Sequence, residues 1–287
     1  MIDVYTESEL FNEIRDAYLS RRKVAILGYG RHSKKGTEEE IIHIKMEDFT
    51  LDKGKVIAEA GASVEEIRKV ASEEGLLLPS FYNGSVGGLL ANNDLSPLFT
   101  HYGSAREFTD WVIFMTPYRA IKWKGVIGSK GKIGAITKAQ FSLFPKPDRV
   151  FMLERKVDPN NLVKEVTELL KLKPLALLID YDGSFYIHAS FSEKIERNGY
   201  SIDEGVPNVE ESNKNSFIVK LNSLEDFISL VDKSEPVYAY TIVDSKLAKI
   251  YIADESSLLG FNYYKADEPQ LVFNKLKIIF DRNNIFI

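Results

Sequence analysis

Glycine recurs in three short stretches of the first half of this chain, each beside a run that reads as a strand or a helix. They are LGYGRHSKKG from Leu27, NGSVGGLLANN from Asn83 and GVIGSKGKIGAIT from Gly125. Glycine has no Cβ and reaches positive φ without strain. Such stretches are where a backbone packs very closely, or where consecutive N–H groups are offered to an anion.

In the first stretch Gly28 and Gly30 permit a tight turn, Ser33 adds a hydroxyl donor, and Arg31, Lys34 and Lys35 add positive charge. It lacks the Gly-Lys-Ser/Thr ending of a nucleotide-triphosphatase loop and the full dinucleotide-binding glycine fingerprint. By itself it reads equally as a strand-ending turn and as an anion cradle. The second stretch puts Gly87 and Gly88 at a helix start, where free N–H groups and the helix dipole favour phosphate. The third places Gly128, Ser129, Gly131 and Gly134 just before a strand. Three such stretches in one half of a chain point to a ligand approached closely by backbone.

The rest of the chain narrows the classes. Its 287 residues allow one large domain or two ordinary ones. A net charge of -5 argues against a nucleic-acid partner. The absence of cysteine excludes disulfides, thiolate catalysis, iron–sulfur ligation and cysteine zinc sites within the chain. The opening MIDVYTESEL lacks the pattern of a signal peptide, and no apolar run approaches about 18 residues, so a cytoplasmic protein without a membrane span is expected. Four scattered histidines, with no helical His-x-x-x-His pair, make no metal site.

Local signals place the elements. Thr6 with Glu9 and Ser63 with Glu66 are capping-box patterns that open helices over 7–20 and 64–74, the second stopping at Gly75. KVAIL, EEIIHIKM and GKVIAEAGA read as strands, and a brief helix is expected over 87–92. DWVIFMTP, AIKWKG and GAITKAQFSLFP are further strands, closed by Pro145 and Pro147. Beyond them the order is strand, helix, strand, strand, a polar loop over 193–215, then strand, helix, strand, strand and a last helix. That order suggests one antiparallel sheet with helices on one face, and the two β-α-β-β units could be a weak repeat.

The three stretches, in this order, resemble the FAD-binding domain of the vanillyl-alcohol-oxidase and p-cresol-methylhydroxylase (PCMH-type) superfamily. LGYGRHSKKG is similar to its diphosphate loop, and Val86 to Leu89 with Ala91 and Asn92 to its VGG segment. HYGSAREFTDWVIF resembles its YGS-x-R-D segment, GSKGKIGAIT its GS-x-G-x-(I/L)-G-x-I-T segment, and FDRNNIF its terminal DP-x-G-(I/L)-N-P. The resemblance implies FAD contacts from Gly28, Tyr29, Gly30, Arg31, His32 and Ser33, and from Gly61. It also implies contacts from Val86, Gly87 and Gly88, from Tyr102 and Gly103, and from Ser129, Gly134 and Ile136. It assigns no catalytic residue.

The expected fold is α+β: a two-subdomain PCMH-type FAD-binding domain over 1–147, with 270–287 returning to it, and a small antiparallel α+β cap or substrate domain over 148–269. Within the superfamily the chain looks most like the FAD-binding accessory subunit of glycolate oxidase. That likeness implies a 2-hydroxy acid or similar small substrate, and electrons passed to a larger flavoprotein subunit and an iron–sulfur subunit. Two departures fall on the flavin-ring side: only MTPYRAIKWKGVI separates the third and fourth matched segments, and Lys130 stands where the family has an acidic residue. They motivate an alternative, a non-catalytic assembly or electron-relay subunit. RHS motivates another, a sugar or lactone oxidase with flavin linked to His32, against a plain solvent-facing histidine. His43 reads as a polar-face strand residue, His101 as a loop residue, and His188 as a base only if it faced the cofactor. Tyr82, Tyr102 and Tyr118 could stack on a flavin, though packing is the first reading for each.

Overall fold

The computed structural model describes residues 1–29, 40–209 and 215–287, and the described residues divide into two units. Unit 1 comprises Met1–Asp94, Ser104–Lys146 and Pro269–Ile287; unit 2 comprises Leu95–Gly103 and Pro147–Glu268.

Unit 1 begins with β1 (Ile2–Val4), α1 (Glu7–Ser20), β2 (Val24–Leu27) and β3 (Glu40–Ile44), and its three strands form a parallel sheet in the order β1-β3-β2. The caps read from sequence are made: Glu9 N donates to Thr6 Oγ1 at 3.1 Å while Glu9 Oε2 accepts from Tyr5 N at 2.8 Å. Leu10, Ile14 and Ala17 then bury one face of α1. There follow β4 (Phe49–Asp52), β5 (Lys55–Glu59), α2 (Val64–Glu73), β6 (Leu76–Leu77) and α3 (Val86–Asn92). α2 ends as expected at Gly75, whose φ is +71°. After the short helices α4 (Phe99–Tyr102) and α5 (Ala105–Phe108) come β7 (Thr109–Met115), β8 (Ala120–Lys122), β9 (Ala135–Ser142) and β10 (Phe144–Pro145). A five-stranded antiparallel sheet, β4-β5-β9-β7-β8, forms the second half of unit 1, and β6 pairs β10.

Unit 2 contains β11 (Phe151–Val157), α6 (Pro159–Leu170), β12 (Ala176–Tyr181), β13 (Phe185–Phe191), β14 (Ser201–Glu204), β15 (Ser216–Lys220), α7 (Leu224–Ser234), β16 (Tyr238–Ile242), β17 (Leu247–Tyr251) and β18 (Tyr263–Lys265). Its eight strands form one antiparallel sheet, β14-β11-β13-β12-β16-β17-β15-β18. The suspected repeat is visible in that order. β11-β13-β12 is mirrored by β15-β17-β16, so two β-α-β-β units meet along β12 and β16. Leu162, Val166 and Leu169 of α6 and Phe227, Leu230 and Val231 of α7 enter one core with Ile187, Ile179 and Ile250 of the sheet, so both helices cover the same face.

Two local expectations change. The polar loop expected over 193–215 contains β14, an edge strand whose mostly exposed Ser201–Glu204 has no apolar alternation to reveal it. Leu95–Gly103, inside the expected first domain, groups with unit 2 because Leu95 and Phe99 pack on Leu178, Tyr240 and Ile242. Thr100 Oγ1 also accepts from Leu177 N at 3.2 Å.

α8 (Leu271–Phe280) returns to unit 1, and the residues after it add to β2. Val24 N donates to Ile285 O at 2.9 Å and Ile287 N to Val24 O at 3.1 Å, which gives a parallel bridge between Val24 and Phe286. Ile285 and Phe286 are fully buried.

Candidate functional site

The first glycine stretch starts where β2 ends, at the carboxyl edge of a parallel sheet, the usual place for a ligand in such sheets. Gly28 lies directly against Ser85: a Cβ added there would overlap Ser85 Oγ and stand 2.9 Å from Ser85 Cβ. Tyr29 beside it is 47% exposed, so its ring is available to a ligand. Gly30, Arg31, His32 and Ser33 lie outside the described residues.

Ser85 is the N-cap of α3, its hydroxyl accepting from Gly88 N at 3.2 Å. The expectation of free amides at this helix start is not met. Val86 N donates to Ala62 O at 2.9 Å and Gly87 N to Ala60 O at 2.8 Å. The reason is a third piece of backbone, residues 60–62, which runs past the amino end of α3. Gly61 makes that passage possible, since a Cβ there would stand 2.6 Å from Met46 O and 2.9 Å from Ile44 O. A Cβ on Gly87 would be tight at the same approach, 3.2 Å from both Ala60 Cβ and Ala60 O. Glycines 61 and 87 therefore serve backbone packing, and Val86 is buried in the core.

The third stretch grips the other end of α3. Gly128 N donates to Leu90 O and Lys130 N to Ala91 O, both at 2.9 Å. The first and third glycine stretches thus converge on the short helix formed by the second. Gly134, at φ +155°, is excluded from carrying a side chain by Met115 O, 2.6 Å from its Cβ position. Ile136 is a core residue paired with Phe114. Lys130 is held in place, with Nζ 3.3 Å from Asn92 Oδ1 and 3.6 Å from Asp94 Oδ1. Asn92 Nδ2 in turn donates to Tyr82 Oη at 3.3 Å.

Where the third stretch meets the carboxyl end of α3, two buried atoms have no partner among the described residues: Ser129 Oγ and Asn93 Oδ1. Ser129 is fully buried, and Asn93 sits at φ +49° as the C-cap of α3. Its Cβ is 3.8 Å from the Cβ position of Gly128, which places both groups at one junction. Buried polar atoms are nearly always paired, so an orphaned hydroxyl and an orphaned carbonyl here fit a hydrogen-bonding ligand. Asn93 and Ser85 escape sequence reasoning as site residues. The only local hint is Ser85 three residues before Gly88 in N-cap spacing.

Other expected residues are placed elsewhere. Tyr102 and Gly103 belong to unit 2, where burial pushes the Tyr102 hydroxyl above its ordinary value and Gly103, at φ +75°, ends α4. Tyr82 covers Gly88 and Gly84, its Cε1 lying 2.6 Å from the Cβ position of Gly84. Tyr118 is partnered by Tyr18, hydroxyl to hydroxyl at 2.8 Å. His43 pairs with Asp3 at 2.8 Å on the polar side of β3. His188 lies between two carboxylates, Nδ1 3.2 Å from Glu154 and Nε2 3.1 Å from Asp180. Among the described residues no helix is long and apolar enough to cross a membrane.

Residues 2–118 match the family model described as FAD binding domain. Two solved structures of alkyldihydroxyacetonephosphate synthase, in different crystal forms, superpose with TM-scores of 0.64 and 0.67. Each is 11% identical, covering 99% of this chain and 75% or 74% of the other, a likeness of fold. No curated protein matches the chain.

Proposed function

We propose that this chain, whose residues 2–118 form an FAD-binding domain of the PCMH type, is the FAD-binding subunit of an oxidoreductase acting on CH–OH groups. In this reading it belongs to a glycolate-oxidase-type 2-hydroxyacid dehydrogenase, and electrons leave to a larger flavoprotein subunit and an iron–sulfur subunit. The observation that carries it is the convergence of the first and third glycine stretches on α3, the helix of the second, with Ser129 Oγ and Asn93 Oδ1 buried and unpaired among the described residues at the junction.

FAD, when bound, supplies the two-electron acceptor that no side chain of this chain can supply. The protein's part is holding. Gly28 and Ser85 fix the end of β2 against α3. Ser129 Oγ and Asn93 Oδ1 are free to hydrogen-bond the cofactor, and the expected residues 30–33 would complete the diphosphate loop. Lys130, anchored by Asn92 and Asp94, keeps a positive charge beside the same turn. Residues 148–269 are assigned the cap or substrate role.

An absorption spectrum of the purified chain, taken before and after acid precipitation, tests the reading. A flavin band, present on isolation or after adding FAD, is expected. A colourless protein that binds no added FAD would sink it. Flavin retained in the precipitate would mark covalent attachment, for which His32 is the candidate. One observation favours a second reading, the non-catalytic subunit. β7 turns straight into β8 through a tight turn in which Thr116 Oγ1 accepts from Tyr118 N at 3.3 Å and Arg119 N at 3.2 Å, leaving no room in sequence for a ring-side insert. Oxidation of 2-hydroxy acids by the isolated chain with an artificial acceptor would exclude that second reading.

A further inference from the structure

The sheet of unit 2 has a second face, opposite α6 and α7. Leu153, Ile179 and Ile187 are buried with those helices. The residues that follow each of them, Glu154 on β11, Asp180 on β12 and His188 on β13, alternate to the other side. There they meet. His188 Nε2 lies 3.1 Å from Asp180 Oδ1 in hydrogen-bonding geometry, and His188 Nδ1 lies 3.2 Å from Glu154 Oε2. Tyr238 Oη on β16 donates to the other Asp180 oxygen at 3.5 Å. The Tyr186 ring stacks beside the imidazole, with centroids 6.4 Å apart.

The fold does not ask for this cluster, as the duplication shows. In the first β-α-β-β unit Glu154 faces His188 and His188 faces Leu178. In the second, Ile218 faces Lys249 and Lys249 faces Tyr240. Asp180, two residues beyond Leu178, then corresponds to Ile242, two beyond Tyr240. The second unit builds the same strands with isoleucine, lysine and isoleucine where the first has acid, imidazole and acid.

A neutral imidazole has one N–H and one lone pair, and carboxylates only accept, so it satisfies one of these two acids at a time. Asp180 is the less exposed, with 18% of its side chain accessible against 38% for Glu154, and Tyr238 holds it as well. The Nε2 proton therefore belongs to Asp180, and the Nδ1 lone pair faces the acid with room to move. We propose that His188 is the proton acceptor of unit 2, that Asp180 positions it, and that Glu154 yields its place at Nδ1 to a substrate hydroxyl. The inference rests on the CH–OH oxidation proposed above and gives the substrate role assigned to residues 148–269 a residue to carry it. Oxidising CH–OH to a carbonyl removes a hydride and a proton. The hydride carries the two electrons for which FAD is the acceptor in that reading. The hydroxyl proton passes to Nδ1, Asp180 stabilises the imidazolium so formed, and Glu154 takes the proton on to solvent.

The test uses the FAD-loaded chain with its histidine rings labelled with nitrogen-15. The chain has four histidines, so the ring signals lost in His188→Lys identify His188. Lysine stands at the corresponding position of the second unit, which makes this the variant the fold accepts, and His188→Gln is read beside it. At about pH 8.5, where histidine is ordinarily neutral, the parent should show a proton on Nε2 and none on Nδ1. In Asp180→Ala the two tautomers should mix. Each protein is then mixed anaerobically with glycolate or lactate, and the loss of flavin absorbance is timed. Both His188 variants should slow reduction at saturation by about 100-fold or more, and Asp180→Ala by about tenfold, with the half-saturating concentration within about threefold of the parent's. A proton on Nδ1, protons on both nitrogens, or a tautomer unchanged in Asp180→Ala overturns the inference, as does equal reduction of the parent and a folded His188 variant. FAD binding and reduction of the parent are read first. A failure of the oxidoreductase reading thus shows in the parent, and a failure of the inference in the difference between parent and variant. Parent flavin that neither acid reduces overturns both.

Discussion

Replacing Asp281 should loosen β2, the strand that ends at Gly28. Asp281 has no exposed side-chain surface, and its carboxylate accepts from two buried amides, Ile285 N at 2.8 Å and Phe286 N at 2.9 Å. Those amides belong to the segment that pairs with Val24 of β2. Asparagine keeps the shape but offers one acceptor oxygen, which leaves about one amide unpaired at about 1–3 kcal/mol. Alanine leaves two, at about 2–6 kcal/mol. Lys277, 3.7 Å away, loses its counter-charge in both variants. At about 2–4 °C per kcal/mol for a protein of this size class, Asp281→Asn should melt about 2–12 °C lower, and Asp281→Ala lower still. Burial raises the Asp281 carboxyl above its ordinary 3.8, against the pull of the two amides and Lys277. Linkage then fixes a sign. The folded protein takes up this proton before the unfolded chain does, so the Asp281 contribution to stability rises as pH falls through the raised value toward 3.8. Both variants should lose that component. The assay is thermal melting by circular dichroism across acidic pH, with FAD affinity read by fluorescence quenching. An asparagine variant that melts with the parent, or an alanine variant no worse than asparagine, would refute the claim that this carboxylate holds the tail on β2.

Gly28→Ala should lower thermal stability by about 1–3 kcal/mol and weaken FAD, because its Cβ enters Ser85. Ser85→Gly in the same chain should recover much of that loss, and additive effects in the double-mutant cycle would contradict the contact. Ser129→Ala should leave the FAD-free protein as stable as the parent or more so, since it removes a buried unpaired hydroxyl, yet bind FAD several-fold more weakly by titration. Unchanged FAD affinity would remove Ser129 from the site. Burial alone would raise the Asp110 carboxyl, but hydrogen bonds from Lys55 at 2.7 Å, Gln140 at 2.6 Å and Ser142 at 2.9 Å hold it below its ordinary 3.8. Its stabilisation is present above 3.8 and is lost as pH falls through the lower folded value, so Asp110→Asn should flatten that part of the acid melting curve.

What could be read from sequence divides along physical lines. Helix starts were legible because their signals are local: Thr6 and Ser63 accept from the amides three residues on, and Asp158 from Asn160 N with Pro159 in the first turn. Unit 2's sheet was legible from its strand-helix-strand-strand rhythm, and its order exposed the duplication. β14 was not, because an exposed edge strand has no alternation to detect. Nor was the membership of 95–103, which is decided by Leu95 and Phe99 meeting strands far along the chain. At the candidate site the glycines announced close approach, but not what approaches. At Gly61 and Gly134 the close neighbours are backbone carbonyls of Met46 and Met115, and at Gly28 the neighbour is the helix cap Ser85. Ser129 was read from its segment, whereas Asn93 emerged only from a tertiary junction. An orphaned atom is defined by the partners it lacks, and sequence does not list partners.

The architecture of unit 1 also separates stability from timing. β2 is hydrogen-bonded to β3 on one side and to residues from the last stretch of unit 1 on the other, where Lys23 Nζ also meets Asn284 O across 261 positions. The strands of unit 2, by contrast, pair largely through near neighbours such as β12 with β13 and β16 with β17. Closing a long loop costs only about 0.6 kcal/mol per doubling of its length, so the distant pairing takes little from stability. It weighs on rate, because distant contacts form late. The strand that delivers Gly28 to Ser85 should therefore be completed after unit 2 is in place. Completion of this contact is then a late event, in which Asp281 fastens the returning segment, that segment completes β2, and β2 sets Gly28 against Ser85 of α3.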